Sequence, residues 1–238
     1  MRPLSPSEEY ETPWRNTSWG FDSLIQTIKA IEPCKNDLKY LRVLVVGPNG
    51  SGKSSFINSI NNAFKGRITS EALSDTISSK SFTYTPYEIE TGNSSLTVVI
   101  NDVMGLEEGF KQGCPLEDII KAINGHVKQG HEFKPEKPLS SDDPDYIEKP
   151  APSDQAFCLV NVLAADRIQL TDGSVMEKLR NIRLNYVIQI IIQKCQFDLL
   201  INYHEEIDTN DDMDVLILQA LTQIIQLAND NVKICLAK

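Results

Sequence analysis

Gly47-Pro48-Asn49-Gly50-Ser51-Gly52-Lys53-Ser54 is the stretch that sets the fold. It reads G-x-x-x-x-G-K-S. An apolar run, Tyr40 to Val46, precedes it, and a helix-compatible run, Ser55 to Phe64, follows it. That strand–loop–helix order is the context a phosphate-binding loop needs. Glycines let the backbone turn tightly, so that several N–H groups converge on an anion. The following helix adds its own unpaired N–H groups and its dipole. Gly47, Asn49, Gly50, Ser51, Gly52, Lys53, Ser54 and Ser55 are therefore the candidate phosphate contacts. Lys53 is placed to reach the β- and γ-phosphates, and Ser54 to offer its hydroxyl to Mg2+.

Downstream, Gly66 to Ser79 is polar and long enough to wrap a phosphate. In a G-type NTPase a Thr from this region ligates Mg2+, and both Thr69 and Thr76 qualify. Ser81 to Glu90 and Leu96 to Asn101 read as strands joined by the short turn Thr91-Gly92-Asn93-Ser94-Ser95. A short Gly-containing turn makes a hairpin, hence an antiparallel pair. The second strand runs into Asp102-Val103-Met104-Gly105, a D-x-x-G. It would deliver Asp102 to the strand's C-terminal end, where ligands of open α/β sheets bind. There Asp102 would hold Mg2+ through water, and the Gly105 N–H would face the γ-phosphate.

The rest of the chain fits one α/β domain. Phe21 to Glu32, Pro115 to Ile123, Ser174 to Leu184 and Asp211 or Asp212 to Leu227 repeat apolar residues at helical spacing. Ala156 to Leu163, Tyr186 to Ile192 and Phe197 to Asn202 read as strands. The expected fold is a P-loop NTPase resembling a small GTPase. It has a mainly parallel sheet with one antiparallel strand, helices on both faces and an abbreviated C-terminal part. Residues 1–20, with Trp14 and Trp19, form an extended arm that packs on the domain or docks another one. Residues 21–238 form the domain itself. Within it, 130–152 is a proline-rich insertion, either packed on the surface or acting as a lid.

Composition narrows the function. The formal net charge is −10 over 238 residues, with no compensating Lys/Arg cluster. That argues against nucleic acid and anionic membranes as partners. No apolar run reaches the ~20 residues of a membrane span. The five cysteines include no C-x-x-C pair and their count is odd, which fits free thiols in the cytoplasm. His126, His131 and His204 lie far from any Cys-rich spacing, so no zinc site is expected.

Several segments together resemble the G-like domain of the interferon-induced protein 44 family. They are the phosphate loop, Gly66-Arg67-Ile68-Thr69-Ser70-Glu71-Ala72-Leu73 and Asp102-Val103-Met104-Gly105-Leu106. Thr12-Pro13-Trp14-Arg15-Asn16, Phe133-Lys134-Pro135, Asp145-Tyr146-Ile147 and Asp214-Val215-Leu216-Ile217-Leu218 belong to the same pattern. The resemblance implies a cytoplasmic, interferon-inducible protein that binds GTP or GDP with Mg2+ and has protein partners. It also implies that this chain lacks the N-terminal domain many members carry.

Three departures qualify that expectation. G-type domains read guanine with N/T-K-x-D after the fifth strand, whereas this chain has Gln193-Lys194-Cys195-Gln196 and no Asp. Only those four residues separate the fifth and sixth strand candidates, too few for a parallel crossover. Those two segments therefore pair antiparallel, or one is not a strand. Finally, Leu106 stands where small GTPases place a water-orienting Gln, so hydrolysis is expected to be slow or absent. The alternative expectation is a pseudo-GTPase interaction module without guanine recognition.

Overall fold

A computed structural model of the chain describes residues 20–35, 38–69, 83–92, 94–107, 113–164, 173–185, 190–193 and 208–235. Five strands form one sheet in the order β2-β3-β1-β4-β5. They are β1 (Leu41–Val46), β2 (Thr85–Glu90), β3 (Ser95–Asp102), β4 (Ala156–Leu163) and β5 (Ile190–Gln193). β1 runs parallel to both β3 and β4, and β4 runs parallel to β5. β2 alone is antiparallel, paired with β3 as the hairpin turn requires. The expected α/β architecture, a mainly parallel sheet with one antiparallel strand, is what forms.

The two central strands are buried along their whole length, which is why they read as continuous apolar runs rather than alternating ones. Alternation sorts β1 between two cores. Val43 and Val45 face a core shared with α1 (Phe21–Lys29), α2 (Lys53–Lys65) and α5 (Asp211–Cys235). Leu44 and Val46 face the other core, built by α3 (Leu116–Ile123), α4 (Gly173–Asn185) and the segment after α3. That segment is held down. Phe133 and Leu139 are buried. The buried Asp118 of α3 accepts the Leu139 N–H at 2.9 Å, and Lys121 donates to the Leu139 carbonyl. Residues 130–152 thus pack on the α3 side of the domain.

Boundaries differ from expectation where local chemistry intervenes. The first helix stops at Lys29 with Ala30 as its C-cap, and Glu32, the residue before Pro33, is kept out of it by the restriction that proline places on its predecessor. Helix α2 starts at Lys53, inside the motif, and the hairpin's first strand is seen as Thr85–Glu90, residues 81 and 82 lying outside the described residues. The last helix continues eight residues beyond Leu227, to Cys235, with Ala228 and Val232 extending its buried stripe. Its start is capped by Asn210, whose side-chain oxygen accepts the N–H groups of Asp212 and Met213 at 3.0 and 3.1 Å. The expected strand over 186–192 is seen as 190–193, residues 186–189 lying outside the described residues. The arm 1–19 with both tryptophans and the strand candidate 197–202 also lie outside them.

Candidate functional site

β1 ends at Val46 and α2 begins at Lys53, so the six residues between them make the loop. Gly47, Gly50 and Gly52 all have positive φ, the last as the left-handed residue that opens α2. The first bond into the helix runs from the Phe56 N–H to the Gly52 carbonyl at 2.8 Å. The N–H groups of Lys53, Ser54 and Ser55 consequently have no acceptor within the helix, and they make an end suited to an anion. The Lys53 side chain folds back over the loop. Its ammonium donates to the carbonyls of Gly47 and Pro48 at 3.3 and 3.1 Å.

The D-x-x-G arrives from β3. Asp102 is paired in register with Val45, one residue from the end of β1. That register carries its carboxylate to the start of α2, where Asp102 Oδ2 accepts the Ser54 hydroxyl at 3.0 Å. Gly105 then passes so close to the loop that a Cβ there would lie 2.9 Å from Asn49 Cα. Beyond it the main chain of Leu106 pairs with the loop. The Leu106 N–H donates to the Gly47 carbonyl at 2.9 Å, and the Asn49 N–H donates to the Leu106 carbonyl at 3.1 Å. Leu106 also bridges to Gly113, and the Cys114 N–H reaches the Gly105 carbonyl at 3.0 Å. The phosphate loop and the segment after Asp102 are therefore stitched into one small ladder.

Burial sets the electrostatics. The Lys53 ammonium is 8% exposed and held below its usual pKa, first by desolvation, with Asp102 and the Cys114 thiol pulling it back. The Asp102 carboxyl is held above the usual carboxylate range, again first by desolvation. The Lys53 charge, the Ser54 hydroxyl and the Val103 N–H oppose that rise. Its second oxygen, Oδ1, is buried and has no hydrogen-bond partner. A phosphate beside Lys53 and a divalent cation beside Asp102 would each favour the charged form. A serine hydroxyl next to a carboxylate is a hard oxygen pair of the kind Mg2+ selects. The donor set therefore fits Mg2+ with a phosphate.

The candidate residues separate on this geometry. Gly47, Gly52, Lys53, Ser54, Ser55, Asp102 and Gly105 are brought together at the C-terminal edge of the sheet. The N–H groups of Asn49 and Ser51 turn back into the loop, to Leu106 and Pro48, and the Asn49 amide donates to Glu107 at 3.2 Å. That leaves a narrower cradle than eight motif residues suggest. Thr69 lies away from it, its N–H and hydroxyl both on Asn62 near the far end of α2, at 2.6 and 2.8 Å. Thr76 and Lys194 to Gln196 lie outside the described residues. Among the described residues no cluster of His, Cys, Asp and Glu is suited to a metal, and Cys34, Cys114, Cys158 and Cys235 are free thiols. Burial pushes the Cys114 thiol well up, and that of Cys158 up to about 12, so neither is a nucleophile. No helix among the described residues is long and apolar enough to cross a membrane.

No family model matches the chain. Human interferon-induced protein 44 is 32% identical to it over 171 residues, which cover 69% of this chain and 38% of that protein. The mouse protein of the same name is 31% identical over 171 residues, covering 69% of this chain and 39% of that protein. Over this region the chain belongs to the interferon-induced protein 44 family. Human interferon-induced protein 44-like is 29% identical over 162 residues, covering 67% of this chain and 36% of its own length. The chain thus spans under two fifths of the length of these curated relatives. Membership in the interferon-induced protein 44 family accounts for the spread of similarity beyond the phosphate loop. It leaves one feature of the site that motif matching missed. Leu106 acts through its main chain, and a backbone pairing has no residue-type signature.

Proposed function

We propose that this chain is a Mg2+-dependent guanine-nucleotide-binding protein of the interferon response, acting in the cytoplasm, with slow or no hydrolysis. The observation that carries the proposal is the 3.0 Å bond between Ser54 and Asp102. Two residues 48 apart in sequence meet where a nucleotide's Mg2+ would sit, beside an ammonium closed over the same loop. Lys53 and the first amides of α2 would hold the β-phosphate, and Ser54 with Asp102 would hold the cation. The metal, when bound, would neutralise the phosphate charge. The names of the relatives support the interferon connection. The competing proposal, an interaction module that has lost base reading, draws on Gln196 standing where the base-reading Asp belongs. Titration with a fluorescent GTP analogue, with ATP as competitor, separates the two. Micromolar, Mg2+-dependent binding supports the first. No binding at ~100 μM supports the second, since a working cradle exceeds that affinity.

Slow turnover follows from Leu106, which is 1% exposed and packed in the α3-side core. Its side chain cannot orient a water. Leu106→Gln should therefore leave single-turnover GTP hydrolysis unchanged. It should instead lower stability by roughly 2 kcal/mol through a buried, unpaired amide. A rise in hydrolysis rate would contradict the assignment.

The raised pKa of Asp102 gives a pH signature. A proton competes for that oxygen at a pH above the ordinary carboxylate range of about 4. The Mg2+-dependent part of nucleotide affinity should thus fall as pH is lowered from 7.5, with its midpoint above the ordinary carboxylate value. In Asp102→Asn the gain on adding Mg2+ should be small at every pH. Nucleotide titrations with and without chelator, run across that range, check both.

A further inference from the structure

A second polar site lies at the other end of β1 from the phosphate loop. Arg42 is only 2% exposed, and among the described residues no carboxylate forms an ion pair with it. Its Nε and Nη2 donate to the Ser153 carbonyl at 3.2 Å, Nη2 also to the Tyr40 hydroxyl at 3.2 Å, and Nη1 to Asn101 Oδ1 at 2.5 Å. Four of the five guanidinium hydrogens are thereby used. A buried cation satisfied only by neutral acceptors is costly to desolvate.

Two further donors beside it are unpartnered. Tyr84 is 2% exposed, and its buried hydroxyl, beside the guanidinium, finds no acceptor for its proton. Asn101 is fully buried, and the guanidinium fixes its amide with Oδ1 inward, leaving Nδ2 without an acceptor. Burial holds the Tyr84 phenol up at about 12, so it keeps its proton at neutral pH. Arg42 and Tyr84 line a cavity of about 290 Å3 with Lys128 and Asp154, its apolar walls being Val127 and Ile147. Two cations and one carboxylate border it, and Asp154 is tied back by the Ala151 N–H at 2.8 Å. At about 30 Å3 per water the space exceeds one solvent molecule and suits a group of a few heavy atoms.

We propose that this cavity binds a small oxyanion, a phosphate or carboxylate group, held by the Tyr84 hydroxyl and the charge of Arg42. The two groups left over around the guanidinium, the Tyr84 hydroxyl and the Asn101 amide, each have a proton to donate, and the excess charge is positive. That combination selects an acceptor-rich anion over a cation or a neutral hydrocarbon. The site is separate from the nucleotide proposal, sharing no residue with it.

The experiment uses the whole chain with 13C-labelled tyrosine. Tyr84→Phe assigns the Tyr84 resonance and removes only a hydroxyl whose proton has no acceptor, and its thermal unfolding beside the wild type shows that the fold is kept. Inorganic phosphate and succinate are titrated separately against sodium chloride at matched ionic strength. The expected result is a saturable shift of the Tyr84 signal with phosphate, succinate or both, and none with chloride. Which of the two saturates identifies the anion as phosphoryl or carboxylate. Crystals soaked with the responding anion should show it against Tyr84 in wild type, with occupancy lost in Tyr84→Phe. No shift with either anion, or an equal shift with chloride, would overturn the proposal and leave a water-filled cavity.

Discussion

Gly47→Ala should lower the melting temperature by roughly 4–24 °C. The new methyl would lie 2.1 Å from the Val162 carbonyl oxygen of β4 and 2.9 Å from Ser51 Oγ. Neither the strand backbone nor the loop can retreat without breaking the β1–β4 pairing, which runs to Val46 and Asn161. Overpacking and backbone strain each cost about 1–3 kcal/mol, so roughly 2–6 kcal/mol would go from a total of roughly 5–15. At this chain length each kcal/mol is worth about 2–4 °C. Gly173→Ala is the matched control, because nothing lies within 4 Å of a Cβ there. Thermal unfolding followed by circular dichroism reads both. Equal melting temperatures would mean that β4 does not press on the loop as described.

Lys53→Ala should weaken nucleotide binding by about 10- to 150-fold, the equivalent of about 1.5–3 kcal/mol for a hydrogen bond to a charged group. The loss has two sources. Under the proposed function the ammonium would supply the charge that faces the phosphates, and it also ties the Gly47 and Pro48 carbonyls, which shape the loop. Lys53→Arg should not restore affinity. The side chain occupies a slot that leaves it 8% exposed, too tight for the planar guanidinium fork. Titration of each variant with the same fluorescent GTP analogue checks this. Unchanged affinity in Lys53→Ala would place any bound nucleotide somewhere other than this loop.

Much of this arrangement was legible in the sequence, and the reasons are physical. β1 and β4 are covered on both faces, so their residues form unbroken apolar runs that need no periodicity to be noticed. Asp102 could be placed because β3 ends on it and because the Gly-containing turn fixed the hairpin. What was hidden lies in contacts without a residue-type pattern. Arg42 sits inside the apolar run of β1 as one charged residue, and only the fold shows that Tyr84 and Asn101 gather around it. Thr69 looked equivalent to Thr76 until Asn62 was seen holding it. The sequence reads α5 short because Asn229, Asp230 and Asn231 interrupt its apolar pattern, although Asn231 is itself buried. Asn229 nevertheless reaches the segment after α1, accepting the Cys34 N–H at 2.7 Å and donating to the Glu32 carbonyl at 3.0 Å.

Because the Leu106 main chain bonds to Gly47 and Asn49 on one side and bridges Gly113 on the other, the glycine loop and the segment after Asp102, which would flank a nucleotide's phosphates under the proposed function, are mechanically one piece. A GTPase that signals by swinging the segment after its D-x-x-G keeps its cradle still while that segment moves. Here such a swing would drag the cradle along, so a change of phosphate state would be felt as looser or tighter grip, not as a detachable flag shown to a partner.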